Sequence, residues 1–258
     1  MRLMKRILSA AAVLALSASL LVGCSSGTAS SVPVSASSAA ESTVSSVEET
    51  ASSAVDENEA AAAQLLNDLT GSYQELWPVI LADEYKQTWL DDCTALVGEE
   101  NAEAAFEKLS SMVTGDVYGE DAVKAYANGG GAYFCGFTNS LAILTFDGET
   151  STISGTDKDG NVLFSHTYHY IGMEPVHGLY EFESDDADSG EFTYFFLAPD
   201  TSAETYHIEF RYGSNADALS QYDAGDYAYW LASGISTDCD QTMIDNCIEL
   251  FCTENLAG

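Results

Sequence analysis

The clearest strand pattern of this chain lies in residues 141–172, LAILTFDGETSTISGTDKDGNVLFSHTYHYIG. Apolar and polar side chains alternate along three runs of this stretch, which is the pattern of a half-buried β-strand. The pairs Asp147-Gly148 and Asp159-Gly160 lie between the runs, and Asp-Gly favours the tight turns of β-hairpins. The stretch therefore predicts three antiparallel strands joined by two hairpins.

Strand-like sequence extends on both sides of this stretch, from residue 132 to residue 212. The further runs are AYFCGF (132–137), GLYEFE (178–183), EFTYFFLA (191–198) and ETYHIEFRYG (204–213). Short strands with regular turns are typical of an antiparallel barrel or sandwich. We therefore predict a mainly β domain with an antiparallel core.

Helical patterns flank these strands. Residues 59–69 are rich in alanine, and residues 83–97 and 99–113 are amphipathic in pattern, which predicts three helices. Between the first two, GSYQELWPVI (71–80) alternates and predicts a strand that Pro78 ends. After the strands, Asn215 can cap a short helix, and Ser236 or Thr237 can cap a helix that runs to about Thr253. The predicted fold is a β core with helices at its N- and C-terminal ends.

The first 23 residues have the pattern of a secretory signal peptide. Basic residues precede an apolar run that is too short to span a membrane, and Leu21-Val22-Gly23-Cys24 follows it. These four residues resemble a bacterial lipobox, in which the cysteine becomes the lipidated first residue of the mature chain. We expect a protein anchored to the cell membrane through Cys24, on its extracytoplasmic face. The alternative is an ordinary signal peptide in which Cys24 has no role.

A low-complexity segment follows, over residues 24–58. It consists almost wholly of Ser, Ala, Val, Thr and Glu and contains no aromatic residue. Such a composition cannot bury enough apolar surface to offset the entropy of ordering, which predicts a disordered tether. Residues 59–258 are then the folded part, and their length fits one domain.

The charge of the chain is strongly negative, with 41 acidic residues, eight Lys or Arg and a formal charge of −33. Removal of the signal peptide would make it more negative still. Nucleic acid and anionic lipid headgroups are poor partners for such a chain, because both require a basic surface. The excess of acid is compatible with a cation as partner, but by itself it favours the simpler explanation that an exported protein gains solubility from its charge.

Five cysteines remain besides Cys24, namely Cys93, Cys135, Cys239, Cys247 and Cys252. Their number is odd in a compartment where disulfides persist, so at least one thiol stays free or pairs between chains. None of them forms a Cys-x-x-Cys motif, which removes support for a redox motif or a thiolate zinc site. The sequence leaves their pairing open.

Two short acidic motifs contain the carboxylates that a calcium site needs. TDKDGN (156–161) lacks the glycine and glutamate positions of a calcium-binding EF-hand loop and predicts a hairpin turn instead. SDDADSGE (184–191) has carboxylates that could hold calcium loosely, but its composition favours an exposed acidic loop. No Gly-x-Ser-x-Gly or other nucleophile motif is present, so we expect a binding protein and not an enzyme; a hydrolase site assembled from distant residues is the remaining enzymatic alternative.

Histidine and glutamate on one strand give the best candidate site. His207 and Glu209 are two residues apart in YHIEFRYG (206–213), so their side chains project from the same face, close enough to share a metal ion. The alternative is a solvated strand face on which Arg211 supplies an ordinary counter-charge to Glu209. His166 and His169 are three residues apart and therefore point to opposite faces.

Several of these stretches resemble the ZinT family in order and spacing. LTGSYQELWP (69–78), the 141–172 stretch, YHIEFRYG and YDAGDYAYWLASGIS (222–236) are similar to successive parts of its domain, which is a lipocalin-like calycin barrel with helices at its ends. In that family three histidines at the barrel mouth hold zinc. Two of their positions fall on His207 and Glu209, and the third falls on Ala198, which cannot bind a metal. Asp200, two residues further on, is the carboxylate that we expect to take its place.

The resemblance implies a function as well as a fold. ZinT-like proteins are exported zinc-binding proteins that occur alone or fused to components of zinc importers. We therefore expect this protein to bind a divalent metal, zinc or another divalent cation such as manganese or calcium, through His207, Glu209 and Asp200. Its expected role is metal uptake or homeostasis beside a metal importer. The alternative is a calycin domain that has lost its metal site and binds a small ligand or another envelope protein.

Overall fold

The computed structural model describes residues 57–199 and 204–257. The predicted signal peptide, Cys24 and nearly all of the predicted tether lie outside these residues, and so does Asp200. Within the described ranges, no helix has both the length and the apolar character that crossing a bilayer requires.

Eight antiparallel strands form a closed barrel in which each strand pairs with its neighbours along the chain. The strands are β1 (Gly71–Glu75), β2 (Ile143–Asp147), β3 (Thr152–Thr156), β4 (Val162–Met173), β5 (Tyr180–Ser184), β6 (Tyr194–Leu197), β7 (His207–Gly213) and β8 (Ala232–Ser236). The barrel closes between β1 and β8, where Tyr73 pairs with Ser236. The predicted antiparallel barrel is therefore confirmed, and closure removes the free strand edges that an open sandwich would leave.

The hairpins between β2, β3 and β4 follow the predicted turns. Asp147 accepts a hydrogen bond from the N–H of Glu149 at 3.1 Å. In the next turn, Asp157 Oδ1 accepts hydrogen bonds from the N–H groups of Asp159 and Asn161, both at 2.9 Å. Aspartate side chains that bind the backbone two residues further on stabilise such turns. The carboxylate of Asp157 is therefore used by its own turn, as the hairpin interpretation of TDKDGN requires.

Aromatic side chains fill the barrel. Phe182, Phe195 and Tyr212 pair side by side across β5, β6 and β7, so their side chains share the inner face, and each is at most 2 % exposed. The hydroxyl of Tyr212 accepts a hydrogen bond from the N–H of Thr138 at 2.6 Å and donates one to its carbonyl oxygen at 2.9 Å. The interior of the barrel is thus a packed core.

The helices of the described residues pack in two places: four of them form a layer on one side of the barrel, and buried side chains of others join the core of the barrel. The helices are α1 (57–68), α2 (Leu76–Ile80), α3 (Lys86–Val97), α4 (Glu99–Val113), α5 (Glu120–Ala127), α6 (Ala216–Leu219) and α7 (Gln241–Leu256). Buried side chains of α2, α3, α4 and α7 form a second apolar core together with Ile235 on the outer face of β8. Trp89 lies at its centre with no exposed surface, and its indole N–H donates to the carbonyl oxygen of Ile80 at 2.7 Å.

Four local predictions differ from the structure. Residues 132–137 are not a strand; they form only isolated bridges at Phe134. The strand predicted over residues 71–80 ends at Glu75, and Pro78 lies in the first turn of α2, which tolerates a residue without an N–H group. Residues 232–236, which were not predicted as a strand, form β8. The C-terminal helix is capped by Asp240, which accepts from the N–H of Met243 at 3.0 Å, and neither Ser236 nor Thr237 caps it.

Candidate metal site on strand β7

Strand β7 is buried on both faces. Ile208, Phe210 and Tyr212 belong to the core of the barrel. His207 and Glu209 therefore project from the outer face, and each is only 5 % exposed. The prediction that these two side chains share a face is confirmed, and the alternative of a solvated strand face is wrong.

Helix α7 and the segment before Gly136 cover this outer face. Across the sheet, His207 pairs with Ile235 and Glu209 pairs with Ser233, so all four side chains lie on the same side of β7 and β8. Ile235 packs in the second apolar core, to which α7 also contributes buried side chains. The N–H of Ser233 donates to the carbonyl oxygen of Cys135 at 3.0 Å, which fixes that segment beside β8. The predicted pair thus lies between the barrel wall and the helical layer, and not in the lumen of the barrel.

His207 is held at the first residue of β7. Its Nδ1 atom lies 2.7 Å from Oγ1 of Thr205, and both residues are 5 % exposed. Tyr206, between them, has a φ of 46°, a left-handed conformation that costs about 1 kcal/mol for a residue with a side chain. An oxygen partner on one ring nitrogen fixes the orientation of an imidazole, and it is common for histidines that bind metals. Thr205 was not among the predicted site residues, because its place depends on this turn.

Glu209 faces two buried thiols. Burial raises the pKa of the Cys247 thiol on α7 to about 12, and the nearby carboxylate of Glu209 adds to the shift. Burial also raises the pKa of the Cys135 thiol, and Glu209 again contributes. Both thiols are therefore protonated at neutral pH, so neither of them places a negative charge beside Glu209.

Arg211 is bound to the chain that follows β7. Its guanidinium donates hydrogen bonds to the carbonyl oxygens of Leu219, Gln221 and Tyr227, and it lies 4.1 Å from the ring centre of Tyr222. The side chain has no exposed surface. Burial lowers the pKa of Arg211, although Tyr222 opposes that shift. The contacts of Arg211 are those of a structural clamp on residues 219–227, and not those of a surface counter-charge.

The other histidines each have a carboxylate partner. Nδ1 of His166 lies 2.7 Å from Asp186, and Nδ1 of His169 lies 2.7 Å from Asp185. In the strand register, His166 pairs with the buried Ile153 of β3, whereas His169 pairs with Glu183 of β5 on the outer face. The prediction that the two histidines point to opposite faces is therefore confirmed. The acidic loop 184–191 thus contributes carboxylates to these imidazoles.

The third ligand position falls on Ala198, directly after β6. Ala198 lies beside Glu209, because its N–H donates to the carbonyl oxygen of Glu209 at 2.9 Å, and it is 2 % exposed. Asp200 lies outside the described residues. Among residues 57–199 and 204–257, no three His, Cys, Asp or Glu side chains converge closely enough to hold a metal ion. The described residues therefore supply the pair of His207 and Glu209, and no complete site.

No protein-family model matches the chain, and no curated protein matches its sequence. Two similar solved structures come from Streptococcus pneumoniae. The Zn(II)-bound ZinT-like domain of AdcA is 14% identical, with a TM-score of 0.44 over 70% of this chain and 87% of that chain. Zn(II)-bound AdcA is 12% identical, with a TM-score of 0.42 over 71% of this chain and 34% of that chain. The chain thus spans about a third of the length of that AdcA structure.

Proposed function

We propose that this protein binds a divalent metal ion, with zinc as the preferred metal, through His207 and Glu209. The observation that carries the proposal is the burial of an imidazole and a carboxylate side by side on the outer face of β7. The attraction between a cation and these two groups is stronger in a buried setting than in water, because the local dielectric constant is lower. Imidazole nitrogen and carboxylate oxygen are both ordinary zinc ligands.

Asp200 is the third ligand in this proposal. It follows two residues after Ala198, which lies on the same face beside Glu209. Two carboxylates with one imidazole make a harder site than three histidines, so we propose weaker zinc binding, with manganese or calcium as competitors. The −33 charge of the chain favours a cation over an anion at this position.

We propose that binding takes place outside the cytoplasm, at the membrane. The lipobox-like sequence ending in Cys24 and the tether of residues 24–58 support this, because together they would hold the folded part near the membrane surface. A metal-binding protein in that position would serve a metal importer. The role is one of binding and delivery, without catalysis.

The experiment is a calorimetric titration of zinc, manganese and calcium into the purified protein. We expect one zinc site in the wild-type protein and a loss of at least about ten-fold in affinity in His207→Ala, because a ligand is removed. The matched control is His169→Ala, which removes an imidazole whose side chain is 52% exposed and pairs with Asp185. Equal zinc binding by wild type and His207→Ala, or no heat with any of the three metals, would contradict the proposal.

A second candidate function is binding of a small apolar ligand, and a cleft favours it. The cleft has a volume of about 350 Å³ and lies outside the barrel, lined by Trp77, Leu81, Val113 and Phe134, with the carboxylate of Glu75 among its polar groups. Such a volume fits a small ligand. If this is the function, a neutral dye such as Nile red should bind, Leu81→Asp should abolish the binding, and zinc should produce no heat.

A further inference from the structure

Two buried thiols face each other between helices α3 and α7. Sγ of Cys93 lies 3.9 Å from Sγ of Cys252, and neither residue has any exposed surface. Cys93 lies within α3, and Cys252 lies near the end of α7. We propose that Cys93 and Cys252 are joined by a disulfide bond in the exported protein.

The geometry requires only a small movement. A disulfide holds its sulfur atoms about 2.05 Å apart, so each sulfur has to move by about 1 Å from its present position, which rotation about the side-chain bonds supplies. The two helices already pack against each other in one apolar core. Closing the bond therefore requires no rearrangement of the fold.

The other buried thiols have different surroundings. The thiol of Cys135 donates to the carbonyl oxygen of Tyr133 at 3.9 Å. The thiol of Cys247, five residues before Cys252 on the same helix, is near Glu209. Among the fifteen possible two-bridge arrangements that the sequence leaves open, the structure therefore favours those that contain Cys93–Cys252.

The oxidant is a disulfide, carried by an extracytoplasmic thiol oxidoreductase or by oxidised glutathione. One cysteine, as its thiolate, attacks a sulfur of the oxidant and forms a mixed disulfide, and the first thiol of the oxidant leaves. The second cysteine then attacks the mixed disulfide and releases the second thiol. Two S–H bonds are lost from the protein, one S–S bond forms, and the oxidant disulfide gains two electrons and two protons.

The bond forms during folding in this scheme. Burial raises the pKa values of both thiols, and Asp92 adds to the shift at each. The folded, reduced protein therefore offers little thiolate, and its sulfur atoms are not accessible to an oxidant. Oxidation should be fast while α7 is still undocked and slow once it has packed.

The experiment is peptide mapping of the protein refolded with oxidised and reduced glutathione, without reduction before digestion. Cleavage after glutamate gives residues 250–254, which contain Cys252 without Cys247, and residues 85–99, which contain Cys93. We expect these two peptides to be linked. Reductant should then lower the melting temperature of the wild-type protein by about 5–15 °C, because the bond closes a long loop.

Two variants test the assignment. Cys252→Ser should remove the linked peptide and the effect of reductant, whereas the matched control Cys247→Ser should retain both. If Cys252→Ser fails to fold, the wild-type map alone decides the matter. Cys93 and Cys252 found as free thiols after oxidative refolding, or linked to any other cysteine, would overturn the proposal.

Discussion

Replacing Arg211 by methionine should cost the protein a large part of its stability. The guanidinium is fully buried, and the carbonyl oxygens of Leu219, Gln221 and Tyr227 accept its hydrogen bonds. Methionine keeps much of the apolar stem but leaves these oxygens without their donor. Hydrogen bonds from a charged donor contribute about 1.5–3 kcal/mol each, and disrupting a buried charged network typically costs about 3–5 kcal/mol. We expect a loss in that range.

The assay is urea denaturation of wild type and variant, followed by fluorescence. With a slope of about 2–3 kcal/mol per molar urea, the expected loss lowers the midpoint by about 1–2.5 M. The matched control is Lys158→Met, which makes the net charge more negative by the same unit. The side chain of Lys158 is 84% exposed, and its contact with Asp159 lies at the surface, so the control should change stability by less than about 0.5 kcal/mol.

A midpoint for Arg211→Met close to that of the control would contradict this prediction. It would mean that residues 219–227 do not depend on the guanidinium for their position. The clamp interpretation would then be wrong, and the contacts of Arg211 would have to be regarded as dispensable.

Three further predictions follow from single contacts. Glu174→Gln should lower the free energy of unfolding by about 1–2 kcal/mol at neutral pH. Burial opposes ionisation of Glu174, but hydrogen bonds from His177 and from backbone N–H groups outweigh this effect and hold the pKa of the carboxyl group below 4.5. The difference in stability from wild type, measured by urea titration, should therefore be complete above pH 4.5 and should shrink as the pH falls further. Gly148→Ala should destabilise by about 1–3 kcal/mol in the same assay, since its Cβ would lie 2.4 Å from Cα of Asn67, whereas Gly172→Ala, with its nearest atom at 3.8 Å, should change little. Glu209→Gln should weaken zinc binding at least about ten-fold by calorimetry, because a neutral amide is a poor zinc ligand, and unchanged affinity would remove Glu209 from the site.

The sequence predicts some strands well and others not at all, for physical reasons. In residues 141–172 the hydrophobic period and the Asp-Gly turns indicate the same hairpins, so local and global preferences agree. Residues 232–236, ASGIS, contain glycine and serine and have a weak strand pattern. They form β8 because β1 and β7 supply hydrogen-bonding partners on both sides. The pairing of β8 with β1 joins residues more than 150 positions apart and is not encoded locally.

Residues 132–137 show the opposite error. AYFCGF alternates like a strand, but its carbonyl groups are used by the start of β8: the N–H of Leu231 donates to Phe134 at 3.1 Å and that of Ser233 donates to Cys135 at 3.0 Å. The segment thus lies beside β8 before β1 takes over that edge. The apolar side chains are buried as the alternation indicates, but the backbone does not form a regular ladder. Burial and strand geometry are separate properties, and periodicity reports the first more reliably.

The candidate site was predictable in one respect and hidden in another. The two-residue spacing of His207 and Glu209 determines that they share a face, since this follows from strand geometry alone. Which face that is, and that α7 covers it, depends on packing between distant parts of the chain. Polar residues on a strand normally indicate a wet face, yet here all of β7 is buried. A buried polar row has to satisfy its charges locally, and Arg211 does so with carbonyl oxygens. The local pattern cannot show this, because the carbonyl oxygens that hold the guanidinium belong to a separate segment, residues 219–227, whose position depends on the fold as a whole.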